Sequence, residues 1–312
     1  MKERIEQLDF LKGVLILQVI MIHLVYLGQC HPTFKQFLLL YTTPAFFIIS
    51  GYLAHFNKPK KLFAKKIYWW IVPYTIMETA YIIMASILPI KEHIEHLEIQ
   101  VLFYYLCLKP LGPYWYIHDL IICYLAYYLI IKSVHNVKFK IWSTMGALAI
   151  LPILLSLHMI SLQTCLFFTI GVCMRGLNIH VLSFFRSSWL SILLAISAFH
   201  FHTQVNITAL TKSIILTYIM ICFLITINSY LPTKVKNIIN IVGRNTFAIL
   251  LFSPMFTILT KQFVRFFAFD PTTILFTLTS VIFTTSGCLV VAYLTDKCKI
   301  SRYICGSNFL QN

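Results

Sequence analysis

Acidic side chains are scarce. Asp and Glu number 10 in 312 residues, against 25 Lys and Arg. Only 11% of the chain is charged, where an ordinary soluble domain carries about 25%. That shortage excludes a soluble globular surface. The nine cysteines form no C-x-x-C pair, and Cys123, Cys165, Cys173, Cys222 and Cys288 fall inside apolar runs, so they read as packing residues rather than as disulfides or ligands. H-E-x-x-H and H-x-x-E-H spacings are missing, and the H-x-x-H of His93 and His96 stands alone in an acidic loop, so no metal is expected. A Gly-rich phosphate loop, an internal repeat, a low-complexity segment and a long linker are missing as well.

What the chain has instead is apolar length. It is 59% hydrophobic with mean hydropathy +0.81. Windows of about 17–25 apolar residues, enough for a helix to cross the hydrocarbon core, recur from end to end. The pattern predicts an all-α, polytopic membrane bundle of about ten helices, a single integral membrane domain over 1–312. The spans fall at 9–28, 36–54, 67–89, 114–131, 141–158, 161–177, 188–203, 213–231, 241–260 and 272–294. With both termini placed inside, 19 of the 25 basic residues fall in cytoplasmic segments, and the outer side receives Lys35, Lys91, Lys109, Lys212, Lys261 and Arg265. The formal charge of +15 is therefore explained by topology. Nucleic acid is excluded as a partner, and membrane lipids are expected. Asp9 and Lys12 interrupt the first apolar run and no small-residue cleavage site follows it, so that span is expected to be retained. Residues 90–113 are charged first and aromatic later, as in a short interfacial helix.

The first span, "LDFLKGVLILQVIMIHLV", carries Asp9, Lys12 and His23. At about 100° and 1.5 Å per residue, Lys12 and His23 lie roughly 20° apart in azimuth and about 16 Å apart in depth. They share one stripe, and Asp9 is one turn below Lys12, within pairing distance. A bland reading has Lys12 snorkelling to headgroups and His23 bonding a neighbouring helix. A functional reading follows from the cost of ionisable groups in hydrocarbon.

Three blocks favour the functional reading: Lys12-x10-His23; "FFIISGYL", with Phe46, Phe47, Ser50, Gly51, Tyr52 and Leu53; and Trp115-Tyr116-Ile117 in "GPYWYIHDLI". With them the chain resembles the acyltransferase-3 family of membrane O-acyltransferases, which includes O-antigen and capsule O-acetylases and fucose 4-O-acetylase-like proteins. The resemblance implies a multi-pass protein of the bacterial plasma (inner) membrane. It implies acetyl-CoA, or another acyl-CoA, as donor substrate, no permanently bound cofactor, and as acceptor a hydroxyl on a surface polysaccharide or a lipid-linked glycan. The chain departs from the family pattern twice. The R-x-x-R-I-x-P run is replaced by "KKIYWWIVPY", with Lys65, Lys66 and Pro73 kept and Trp70 where the second Arg would fall. A later histidine gives way to Ser253 in "GRNTFAILLFSP".

A sugar hydroxyl is a poor nucleophile and needs a base as it attacks a thioester. Imidazole, with an unperturbed pKa of about 6.5, is mostly neutral and suited to accept that proton. His23 is the expected base, or else a nucleophile forming an acyl-imidazole, with Lys12 and Asp9 on the same helix. The donor's phosphates are expected at Lys12, Lys58, Lys60, Lys61, Lys65 and Lys66, with Tyr52 beside them, although topology alone also demands a basic cytoplasmic loop. Trp115, Tyr116, His118, Asp119 and Glu78 are candidates on the acceptor side. His118 and Asp119, pointing about 100° apart, are not expected to pair with each other; either could face His23 from across the bundle and orient its ring, but they read first as a polar lip with belt aromatics. Glu78, near the middle of its span, must be paired or protonated. A glycan transporter or flippase and an assembly subunit of a polysaccharide synthase are the alternatives.

Overall fold

The computed structural model describes residues 5–56, 59–87, 93–133 and 160–311. The expected span 141–158 lies outside them, as do Lys2, Arg4, Lys58, Lys91, Lys138 and Lys140. Every regular element among the described residues is helical. Among the described residues, five helical segments are long and apolar enough to cross a membrane: Lys60–Ile87, Gly112–Ile131, Ala209–Tyr230, Thr246–Phe266 and Ile274–Lys297. The contacts divide the chain into two compact units. Unit 1 takes residues up to Phe46, Ile179–Lys299 and Asn308–Asn312; unit 2 takes Phe47–Asn178 and Ile300–Ser307.

Unit 1 is built around α1 (Glu6–His23). After a break at Leu24 follow α2 (Val25–Cys30) and α3 (Pro32–Tyr52), whose first part belongs here. Leu8, Phe10, Leu11, Leu15, Ile16 and Ile20 are all buried, so α1 is a central helix of this unit despite its narrow polar stripe. The expected continuous span 9–28 is corrected. Helical geometry ends at His23, and the buried Leu24 turns extended with φ −73° and ψ 108°. Irregular backbone at membrane depth is tolerated where protein encloses it.

The span expected at 241–260 is corrected too. Pro232 precedes a short helix over Thr233–Arg244, and the next begins at Thr246. The first is amphipathic, with Val235, Ile238 and Ile241 exposed and Asn240, Val242 and Gly243 buried. Its sequence, "TKVKNIINIVGR", is too polar to cross a membrane and suits the interface. It packs closely along α1. Gly13 and Gly243 make that possible, since a Cβ on Gly243 would overlap the Asp9 carbonyl oxygen and one on Gly13 the Ile239 carbonyl oxygen. The helices over Ala209–Tyr230, Thr246–Leu259 and Ile274–Lys297 complete the packing around α1. Trp189–Phe201, in the expected 188–203 span, is a shorter apolar helix. The last residues fold back onto this unit. Asp296 accepts the Phe309 and Leu310 N–H groups at 2.8 and 2.9 Å, Asn245 Oδ1 accepts the Gln311 N–H at 2.8 Å, and the Phe309 ring meets Phe252 edge-on at 5.4 Å.

Unit 2 holds the end of α3, then α4 (Lys60–Ile87), α5 (Ile99–Cys107), α6 (Trp115–Ser133) and α7 (Leu162–Gly176). The α5 helix lies where the sequence placed an interfacial one. Ring contacts give the directions. Along α4 and α6, Phe63 stacks on Tyr128 at 3.6 Å, Trp70 meets Tyr124, Tyr74 meets His118, and Tyr81 meets Tyr114, so these two helices run antiparallel. Asp119 meets Thr164 and Tyr127 meets Thr169, so α6 and α7 run the same way. Gly51 and Gly171 let α3 touch α7 backbone to backbone. A Cβ on Gly51 would overlap the Phe168 carbonyl oxygen, and one on Gly171 the Ile48 carbonyl oxygen. The glycine of "FFIISGYL" is therefore a packing requirement.

Candidate functional site

In unit 1 the uninterrupted α1 places Lys12 and His23 on the stripe that their spacing predicts. Lys12 Nζ lies 2.7 Å from Asp9 Oδ1, an i,i+3 pair in which Asp9 is buried and Lys12 partly open. Gly243 approaches the Asp9 backbone closely, so the pair lies at the helix crossing. His23 is the last helical residue and is half-buried. The break after it is not visible in the sequence, because no proline or glycine marks it. The aliphatic stem and ammonium of Lys35, which sequence reasoning left among the outer charges, lie over Gly28, five residues beyond His23.

A cavity of about 530 Å³ opens in unit 1, lined by Leu17, Met21, Leu27, Phe34, Phe199 and Val281 among others. Met21 and His23, two residues apart, point about 200° apart around the helix. The cavity therefore lies on the face of α1 away from the Lys12 and His23 stripe.

In unit 2 the acceptor-side candidates do come together, in a way that corrects the expectation for His118 and Asp119. The His118 ring bridges the Cys107 carbonyl oxygen, 2.9 Å from Nε2, and Asp119 Oδ1, 3.2 Å from Nδ1. Thr164 donates its hydroxyl to Asp119 Oδ2 at 3.1 Å. Both residues are buried inside unit 2, not on a surface lip, and each is also bonded to a third group, His118 to the Cys107 carbonyl and Asp119 to Thr164. The fully buried Glu78 accepts the Leu111 N–H at 2.6 Å, and Tyr74, one turn earlier on α4, donates to the Leu106 carbonyl oxygen at 2.8 Å. Together these groups bond backbone atoms of Leu106, Cys107 and Leu111, and the Leu111 amide among them is buried. Thr164 and the Leu111 amide are participants that sequence reasoning missed, since neither is near its partner in the chain.

The second and third blocks interlock. Ser50 Oγ and Tyr116 Oη share a hydrogen bond of 2.9 Å, and Phe47 lies 4.7 Å from the Tyr116 ring and 6.4 Å from Trp115. Of the expected donor-binding cations, Lys66 sits over the Trp70 and Tyr124 rings at 4.4 and 4.3 Å. The aromatic at position 70 therefore does electrostatic work where the family pattern has Arg. Lys65, one residue earlier, is exposed and is not brought to the same place. Tyr52 meets a partner that the sequence did not suggest: the Arg175 guanidinium lies 5.6 Å from its ring centre, and Arg175 Nη2 is 3.4 Å from His55 Nε2. Among the described residues, no group of three or more His, Cys, Asp or Glu is placed to hold a metal ion.

No curated protein and no solved structure gives a significant match to the chain. A family profile does, described as an acyltransferase domain and aligned over residues 5–293. That match covers the first helix with its Lys12 and His23 stripe, the Gly51 crossing and the Trp115-Tyr116 block, and the chain belongs to the acyltransferase-3 family of membrane acyltransferases.

Proposed function

We propose that the chain transfers an acetyl group from acetyl-CoA to a hydroxyl of a bacterial cell-surface polysaccharide or its lipid-linked precursor. It would do so as an enzyme of the plasma (inner) membrane with ten spans and both termini inside. The observation that carries this reading is the first helix, a central element that holds Lys12 and His23 eleven residues apart on one stripe and stops at the histidine. A side chain at a helix end, beside backbone that has left helical geometry, has neighbours that differ from those of a packed mid-helix position.

In the proposed step the acceptor hydroxyl attacks the thioester carbonyl carbon, and His23 takes the hydroxyl proton as the new C–O bond forms. The tetrahedral intermediate then expels the thiolate of CoA, which recovers a proton from the imidazolium, and the ester leaves with the base restored. If His23 attacks first, it displaces the thiolate of CoA, which takes the ring N–H proton, and the sugar hydroxyl then displaces the imidazole, which recovers the hydroxyl proton as the ester leaves. Lys12, paired with Asp9, would supply positive charge toward the donor's phosphates from the cytoplasmic side. His118, Asp119 and Glu78 have structural partners in unit 2, and the reading gives them the role of shaping the acceptor side together with Trp115 and Tyr116.

The test is acetyl ester content of surface glycan, per unit of membrane-inserted protein, in cells with the wild-type gene, without it, and with His23→Gln. Glutamine hydrogen-bonds but accepts no proton at neutral pH. Acetylation near the wild-type level with His23→Gln would remove the residue from the chemistry.

A further inference from the structure

Arg175 stands in the last turn of α7, and its guanidinium lies against one face of the buried Tyr52 ring. A guanidinium on an aromatic face is held flat, with its edge N–H donors presented in a fork that fits a phosphate. His55 Nδ1 donates to the Leu53 carbonyl oxygen at 2.7 Å, so Nε2 is the lone-pair nitrogen facing Arg175 Nη2 at 3.4 Å, a long contact that leaves most of the fork's donors for another acceptor. Arg175 has no carboxylate within ion-pair distance among the described residues.

The surroundings have one sign of charge. Phe63 stacks on Tyr128 and Phe56 on Tyr127, and Tyr127 bonds Thr169, six residues before Arg175. These contacts bring the start of α4, with exposed Lys60, Lys61 and Lys65, to the same end of unit 2 as Arg175. Arg175 would also complement the negative end of its own helix, and that purely structural role is the alternative to exclude.

We propose that Arg175, braced by Tyr52 and His55, is a subsite for a phosphomonoester, the 3′-phosphate of the acyl-CoA donor. The inference rests on the donor assigned above. A phosphomonoester carries about two charges and three acceptor oxygens, which a braced guanidinium can meet bidentately. Recognition is then by an α7 residue that lies more than a hundred positions from the Lys65 and Lys66 pair.

The experiment uses the full-length enzyme in membranes, with acetyl-CoA and acetyl-dephospho-CoA, which lacks only the 3′-phosphate. Wild type should prefer acetyl-CoA by roughly 10- to 100-fold in kcat/KM, the scale of a charge-assisted hydrogen-bond pair. Arg175→Ala should abolish that preference through KM, and Arg175→Lys should keep part of it. A lysine suffices for the helix end, so a merely structural role predicts that every inserted variant discriminates as wild type does. That result overturns the subsite, as does a wild type indifferent to the 3′-phosphate. If Arg175→Ala fails to insert, Arg175→Lys and Arg175→Gln carry the comparison. Transfer from neither thioester by wild type would instead overturn the donor assignment itself.

Discussion

Unit 1 and unit 2 each bury carboxylates, and they satisfy them by opposite means. In unit 1 Asp9 is met by Lys12, three residues along the same helix. In unit 2 Asp119 has its neighbour His118 but also draws on Thr164, 45 positions away, and Glu78 draws on the Leu111 amide, 33 positions away. A pair on one turn forms with the helix and survives small shifts of its neighbours. A group satisfied from other elements forms only when those elements dock, and it then fixes them. The difference separates a polar pair set within one helix from a polar cluster whose members bond a neighbouring loop.

The largest effect that can break this contrast is expected at His23. If the unit 1 stripe is the reactive one, His23→Ala lowers acetyl transfer by about 10² to 10⁴, the scale of general-base assistance, and His23→Gln does not restore it. The same assay on His118→Gln should show a smaller loss, accompanied by lower thermal stability in detergent, because that ring braces the Cys107 carbonyl. A larger activity loss at His118 than at His23, in protein of wild-type stability, would reverse the roles of the two units.

The glycine crossings come next. Gly243→Leu in unit 1 and Gly51→Leu in unit 2 each drive a side chain into backbone of the facing helix. Overpacking of this kind costs about 1–3 kcal/mol or more, because backbone cannot swing aside. Folded yield on size-exclusion chromatography should fall for both. Gly287→Ala meets first a side chain, the Phe256 ring, rather than backbone, and should fall less. Equal yields across the three would show that close approach is not what these glycines provide.

At Lys12 the expected effect is about tenfold in KM for acyl-CoA, near 1.4 kcal/mol, for Lys12→Ala, with Lys12→Arg close to wild type. Donor titrations of the two variants check this. An unaltered KM in Lys12→Ala would leave Lys12 as a partner of Asp9 and nothing more.

The smallest effect is at the turn before the helix over Ile274–Lys297. Asp270 accepts the Thr272 hydroxyl at 2.5 Å and the N–H groups of Thr272 and Leu275 at 2.9 and 3.0 Å. These bonds, the hydroxyl first, hold its carboxyl below the ordinary carboxylate range. The stabilisation is complete above the ordinary pKa of about 4 and is lost as pH falls through the lower folded-state value. The difference in Tm between wild type and Asp270→Asn should be constant from about pH 5 to 7 and shrink below about pH 4. A difference that instead grows on acidification would mean the carboxylate is not the stabilising form.

The sequence by itself determined the membrane class, most of the described helix positions and the stripe of α1. Apolar run length, charge placement and an eleven-residue spacing are local properties of a helix, and a single strand of sequence displays them. It did not display the break after Leu24's predecessor, His23, since no residue there is a helix breaker and the turn is imposed by packing. It also assigned residues 241–245 to a span. The short helix over Thr233–Arg244 is terminated by Asn245, whose side chain caps the Ile241 carbonyl while its oxygen receives the returning Gln311 amide. Only the tertiary structure decided that Asp119 meets Thr164, that Lys66 rests on Trp70 and Tyr124, and that Arg175 lies on Tyr52. The last contact joins residues 123 positions apart, and it exists because Gly51 and Gly171 let two helices touch at their backbones, a proximity that depends on a missing Cβ in each helix and on nothing that either segment shows alone.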